Sequence, residues 1–220
     1  MQIISQGGKK IMPEDLKIGT VLHHLIISNI KPLKSETKWQ ERLRMTNQSS
    51  WRKIWSRSYS NFSSVKAKQL QFKFLHNVLF TEDRLVHLGL SNGQCCICKN
   101  TQETITHLFY ECFYAKVFIN MAQDMVNKIE DRSKNNTQIN LDLENWSLGV
   151  SKYLLSDLVN TVIFETKWHI WLYRNNCKHK AEIQNIDKYK FLLKYQIKDL
   201  LKCVISKFPN VLDYNFISAL

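Results

Sequence analysis

Glycine and proline are scarce in this chain, 6 and 3 among 220 residues, which excludes a collagen-like, linker-rich or turn-dense all-β protein. Apolar runs are short as well. None approaches the roughly 18 residues that a bilayer span needs, so no membrane partner is expected. The first ten residues hold two lysines but no apolar block leading to a small-residue cleavage site, so secretion is not indicated. There is no internal repeat and no low-complexity tract. Acidic residues are the remaining deficit: 19 Asp+Glu face 31 Lys+Arg, a net charge of +12. Such an excess points to an acidic partner, with nucleic acid first. What is present is ordinary for a folded protein. Hydrophobic residues make up 44% and charged residues 23%, which argues against wholesale disorder. The expectation is a soluble, basic, intracellular protein of one large domain or two small ones, working in the nucleus, the cytoplasm or both.

The charge is uneven: +9 over residues 1–94, −2 over 95–150 and +5 over 151–220. Residues 1–37 read as an irregular N-terminal segment, broken by Gly7-Gly8, Pro13, Gly19 and Pro32, with one apolar stretch from Val21 to Ile30. A helical region follows. Ser49 or Ser50 is placed to cap a helix holding Trp51, Ile54 and Trp55. Leu70, Phe74, Leu75, Val78 and Leu79 recur at helical spacing, with Lys66, Lys68 and Lys73 between them. Thr81-Glu82-Asp83 starts another helix that Gly89 ends. Phe113 to Ile129 reads as a helix. The polar, Asn-rich stretch from Asp131 reads as an exposed loop, bounded at 131–147. Over 148–220, Leu154, Leu155, Leu158, Val159, Val162 and Ile163 form one helical face. Ile186, Tyr189, Leu193, Ile197, Leu200 and Val204 form a long amphipathic stripe. The fold class is mostly α, a helical domain with a small cysteine- and histidine-bearing knuckle inserted between helices.

Four of the six cysteines lie between Cys95 and Cys112, in the pattern Cys95-x2-Cys98-x8-His107-x4-Cys112. Structural zinc takes four tetrahedral thiolate or imidazole ligands. The two-residue spacer lets a tight turn aim both first sulfurs at one point, with Ser91-Asn92-Gly93 easing the bend. His107 and Cys112 supply the second pair from a short helical segment that Thr104 is placed to cap. A closed Cys3His set leaves no open position for substrate, so the one zinc expected is structural. The plainer alternatives are buried thiols beside a core histidine, or a disulfide framework, which the missing signal peptide disfavours. Cys96 reads as a bystander, since pairing it with Cys98 leaves only one residue between ligands. Cys177 and Cys203 read as ordinary helix residues. A Cys98–His107 nucleophilic pair is conceivable, but metal ligation uses both residues.

The residues around this knuckle resemble those of a known family. Lys38-Trp-Gln-Glu-Arg-Leu43, Trp51-Arg-Lys-Ile-Trp55, Gln71-Phe-Lys-Phe-Leu-His76 and Thr81-Glu-Asp-Arg-Leu85 resemble the C-terminal region of reverse transcriptases from LINE-type non-LTR retrotransposons. So do Cys95-Cys-Ile-Cys98, Glu103-Thr-Ile-Thr-His-Leu-Phe109 and Cys112, with later echoes at Leu148-Gly149 and Trp171-Leu-Tyr-Arg174-Asn175. The resemblance covers about residues 38–180, with 38–130 as the zinc-binding region and the knuckle at 92–112. It implies zinc ligands at Cys95, Cys98, His107 and Cys112. It also implies contact with template RNA or target DNA in target-primed reverse transcription, beside a reverse transcriptase core. The extra Cys96 departs from the family pattern.

No Tyr-x-Asp-Asp polymerase signature and no clustered carboxylates for two magnesium ions are found, so the chain is not expected to be an enzyme. Lys66, Lys68, Lys73, Arg84, Arg174 and Lys178 are the candidate phosphate contacts, with His76 beside them. Each taken singly also fits a surface charge or a local ion pair. Arg174, Lys178, His179 and Lys180 complement a helix C-terminus whether or not nucleic acid binds. Trp51, Trp55, Trp168 and Trp171 fit base stacking on single strands, and fit core packing better. The expected function is a zinc-stabilised nucleic-acid-binding module. The alternatives are a zinc-containing interaction module docking on a polymerase core, or a remnant of an element with no present role.

Overall fold

The computed structural model describes residues 33–45, 51–59, 61–133, 138–151, 155–180 and 184–220, with two short strands near the start. These strands, β1 (Ile3–Ile4) and β2 (Lys10–Ile11), pair antiparallel with Ile3 opposite Ile11. The expected Ser49/Ser50 cap, the Val21–Ile30 stretch and Leu154 lie outside the described residues. The rest is mostly helical: α1 (Lys34–Leu43), α2 (Trp51–Arg57), α3 (Val65–Leu75) and α4 (Glu82–Val86) precede the cysteine-rich segment. A π-helical turn (His107–Glu111) then leads into α5 (Phe113–Ser133), α6 (Leu143–Leu148), α7 (Ser156–Lys180), α8 (Ile186–Lys202) and α9 (Tyr214–Ala219).

Helix α7 is the axis of the molecule and packs against α3, α5, α8 and the π-turn. Leu158, Val159, Val162, Ile163, Phe164, Ile170 and Tyr173 bury its apolar positions on several sides. A helix that is buried nearly all round has neighbours on every face rather than a single stripe. Three indoles fasten helix ends elsewhere. Trp39 donates to the Leu75 carbonyl at 3.0 Å, Trp146 to Phe109 at 2.7 Å, and Trp55 to the Glu36 carboxylate at 2.8 Å. The first two bonds satisfy carbonyls close to helix ends, where intrahelical partners run out. On α8 the expected stripe faces inward, with Tyr189, Leu193 and Ile197 buried, joined by Leu201, while Ile186 and Leu200 are half-buried and Val204 is buried just beyond the helix end.

Two expected boundaries change. Helix α1 begins at Lys34, inside the segment expected to be irregular, and the Glu36 carboxylate receives the Leu33 amide at 3.2 Å. The expected 131–147 loop is shorter, because α5 runs to Ser133 and α6 begins at Leu143. Asp142 caps α6 by accepting the Asn145 amide at 2.8 Å, and Trp146 is fully buried. The irregular stretch before it is tied to α5, where Gln123 donates to the Ile139 carbonyl and accepts the Leu141 amide, both at 2.8 Å. One buried tryptophan in a polar run leaves no periodic trace, so pattern alone read it as loop.

Lys167 sits fully buried in the middle of α7. Its Nζ donates to Gln71 Oε1 at 2.7 Å and to the Ser147 carbonyl at 3.2 Å, and lies 4.1 Å from the Phe74 ring centroid. Burial drives its pKa well below the usual lysine range. An amine whose pKa folding lowers holds its proton more weakly in the fold than in the unfolded chain, so the unfolded state binds more protons as pH rises between the two pKa values. Stability therefore rises with pH until the unfolded amine titrates near about 10.4. Thermal melts between neutral and alkaline pH should show that rise in the wild type and a shallower one in Lys167→Met. Equal slopes in the two proteins would mean that Lys167 stays charged in the fold.

Candidate metal centre

The cysteine-rich segment folds as a small hairpin joined to a helical turn. Gln94 and Gln102 form a bridge, and the Cys95 amide donates to the Thr101 carbonyl at 2.8 Å. Lys99 turns the tip with a positive φ of 60° and donates back to the Cys95 carbonyl at 2.9 Å. This closes the chain between Cys95 and Cys98 so that both sulfurs face inward. The amides of Ile97 and Cys98 point at the Cys95 sulfur.

The second pair comes from the π-turn. The Cys112 amide donates to the His107 carbonyl at 2.8 Å, an i→i+5 bond. On an α-helix, side chains five apart point about 140° away from each other. Widening the turn to enclose five residues stacks His107 and Cys112 on one face, the kind of local use to which π-turns are put. The Thr104 hydroxyl accepts the His107 amide at 3.0 Å, and the Thr101 hydroxyl lies 3.1 Å from both ring nitrogens of His107. Outer contacts of this kind fix the orientation of a ligating imidazole.

The ligand atoms of Cys95, Cys98, His107 and Cys112 all lie within 4.8 Å of one another, and Cys98 Sγ is 3.4 Å from His107 Nε2. Sulfurs at about 2.3 Å from a tetrahedral zinc stand about 3.8 Å apart, so four donors this close fit one ion. The donor set is soft and closed, with Cys95 and Cys112 fully buried and Cys98 half-buried. The hydrogen bond to Cys112, then burial, pushes the Cys95 thiol up, and that same hydrogen bond pulls the Cys112 thiol down. Cys112 directly precedes α5, and its sulfur accepts the Tyr114 and Ala115 amides, so the helix N-terminus favours its thiolate. Burial lowers the pKa of His107, which keeps the imidazole neutral and able to ligate.

Cys96 faces the other way, into a second buried cluster. Its thiol and its amide both lie 3.2 Å from Glu103 Oε2, as donors. Glu103 Oε1 binds Arg174 Nη2 at 2.6 Å, and Glu82 Oε1 binds Arg174 Nη2 at 2.5 Å and Lys178 Nζ at 2.6 Å. Ser91 donates to the other Glu82 oxygen at 2.5 Å. This cluster ties the knuckle and α4 to the central helix. Sequence reasoning missed it, although Glu103 and Arg174 both stand inside the motifs quoted for the resemblance.

Arg174 was expected to reach phosphate. It is 3% exposed and donates to the Glu82 and Glu103 carboxylates, to Asn175 and to the Phe80 carbonyl, so it holds the fold instead. Lys178 is likewise engaged by Glu82, with 32% of its side chain exposed. Lys66 and Lys73 stand exposed on α3, and Lys68 is half-exposed with its ammonium 3.2 Å from the Tyr59 carbonyl. Arg84 is half-buried on α4. His76 stacks on Trp55 at 4.6 Å and meets Phe72 at 4.2 Å, so it belongs to an aromatic cluster.

A family model described as zinc-binding in reverse transcriptase matches residues 34–118, a span that contains all four clustered donors. No curated protein and no solved structure matches the chain. Among the described residues, no helix is long and apolar enough to cross a membrane.

Proposed function

We propose, from the premise that residues 34–118 are a reverse-transcriptase-associated zinc-binding region, that the chain is a nucleic-acid-binding module with one structural zinc. Cys95, Cys98, His107 and Cys112 hold the ion, which cross-links the hairpin to the start of α5 and performs no chemistry. Lysines outside the core contact phosphates with little sequence preference. In the finer form of this reading the strand held is template RNA or target DNA in target-primed reverse transcription, beside a LINE-type polymerase core. The observation that carries the reading is the closed, buried Cys3His set, placed in a chain of net charge +12 that leaves Lys66 and Lys73 exposed on α3.

Zinc content and single-stranded RNA binding, measured on one sample, test it. One zinc per chain is expected, with affinity falling with salt at a log–log slope near −0.7 per phosphate contact. Chelation should remove both the zinc and the binding. A second reading rests on α8, whose outer surface exposes Phe191, Leu192 and Tyr195. Zinc present with negligible RNA affinity at low salt points to that surface and to a protein-docking module, against the first reading.

A further inference from the structure

A groove of about 380 Å³ opens between α3, the turn at residues 78–80 and α7. Its floor and walls carry Phe80, Trp168 and Trp171, and its rim carries Lys66, Gln69 and Lys73. The size falls in the range of small-ligand sites, roughly 300–1,000 Å³. The three rings differ in what they have left to offer. Trp171 lies near-parallel to Phe109 at 6.2 Å and carries the Arg174 guanidinium 5.1 Å from its centroid, so its faces are engaged. Trp168 is half-buried, and among the described residues its ring meets no other ring and its indole N–H has no acceptor. Phe80 is 63% exposed and likewise meets no ring among the described residues. An exposed phenylalanine held next to a half-exposed indole is an apolar surface with its π-faces free.

Phe80 is also held in place. Its carbonyl accepts Arg174 Nη2 at 3.3 Å, so the buried ion cluster that anchors the knuckle fixes the backbone of the groove wall. The two rim lysines have no ion-pair partner among the described residues. Unpaired cations on the rim above free aromatic faces suit a chain that is anionic along its backbone and flat at its side groups.

We propose that this groove binds unpaired nucleotides of a single strand, with a base on Trp168 and Phe80 and the flanking phosphates on Lys66 and Lys73. The proposal rests on the nucleic-acid reading and names its binding site. It assigns Trp168 and Phe80 to ligand contact and Trp171 to the wall behind them.

The zinc-loaded full chain is titrated with labelled oligo(dT), oligo(rU) and an abasic oligodeoxynucleotide of equal length. Base stacking predicts that the wild type prefers a base-bearing strand to the abasic one by about 5- to 100-fold. Phe80→Ala and Trp168→Leu should each reduce that preference while leaving the salt slope as it was. Lys66→Glu with Lys73→Glu should weaken every strand and flatten the slope. A preference confined to oligo(rU) or to oligo(dT) supports the groove and assigns it to that nucleic acid. Equal binding of base-bearing and abasic strands, or a full preference retained in Phe80→Ala, overturns the groove while leaving the nucleic-acid reading intact. No binding of any strand by the wild type removes that reading and the groove with it, in favour of a protein partner.

Discussion

Cys112→Ser is expected to empty the metal site and to lower the melting temperature by about 10 °C or more, because losing a structural metal is among the few single changes worth more than about 4 kcal/mol. The serine isolates the effect. Cys112 sits where a helix cap belongs, directly before α5, and its sulfur receives the Tyr114 and Ala115 amides. Serine is a good cap in that position, so the start of the helix survives and only the ligand is lost. Without the ion, the hairpin and α5 are no longer cross-linked, and binding energy that was folding energy disappears. Cys96→Ser is the contrast. Its sulfur contacts Glu103 rather than the donor set, and a hydroxyl can still donate there, so zinc should remain at the wild-type level. Metal analysis after dialysis and a circular-dichroism melt decide the matter. A Cys112→Ser protein with full zinc and an unchanged melt would mean that the four donors do not form the site.

Arg174→Met should destabilise the fold by about 3–5 kcal/mol, the cost of stranding buried charge. Glu103 is 0% exposed, and the guanidinium reaches it through Nε at 3.1 Å and Nη2 at 2.6 Å. Methionine fills much of the same volume, so lost packing contributes little. Adding Glu103→Gln and Glu82→Gln should recover part of the loss, since neutral amides need no counter-charge. The same cluster sets an acid limit. Burial alone raises the pKa of Glu82, but the hydrogen bonds from Lys178 and Ser91 and the charges of Arg174 and Lys178 hold it below the usual range. A depressed carboxyl contributes stability that is full above its unfolded pKa, about 4.3, and is lost as pH falls through the folded value. Acid titration followed by urea melts should show a steeper fall below that pH in the wild type than in Glu82→Gln. An Arg174→Met protein with wild-type stability would refute the structural role given to the cluster.

The donor set was legible because its geometry is local. Cys95, Cys98, His107 and Cys112 lie within one short segment, and turn and spacer lengths limit where their side chains can point. Thr104 and Thr81 were legible as helix starts for the same reason. The π-turn was not, since nothing in a four-residue spacer tells a widened turn from an α-helix until the neighbours demand it. Arg174 was misjudged because its partners stand 71 and 92 residues earlier in the chain. A basic residue near a helix end reads as a surface charge, and only packing α4 and the hairpin onto α7 shows that it is buried. Trp168 was read as core from its helical spacing, and it does pack partly buried against the core; that it also lines a groove is not legible, because core residues and groove walls share that spacing.

The sequence by itself determined the mostly helical class, the basic character and the four donors that fit zinc. Each of these follows from composition or from residues close along the chain, where covalent geometry restricts the outcome. Only the tertiary structure decided which cations are free and which are spent inside. It pairs Arg174 and Lys178 with Glu82 and Glu103, leaves Lys66 and Lys73 without carboxylates among the described residues, and opens a groove beside them. The physical reason is that charge and aromatic character act through burial and distance, and both are set by helices that meet from opposite ends of the chain.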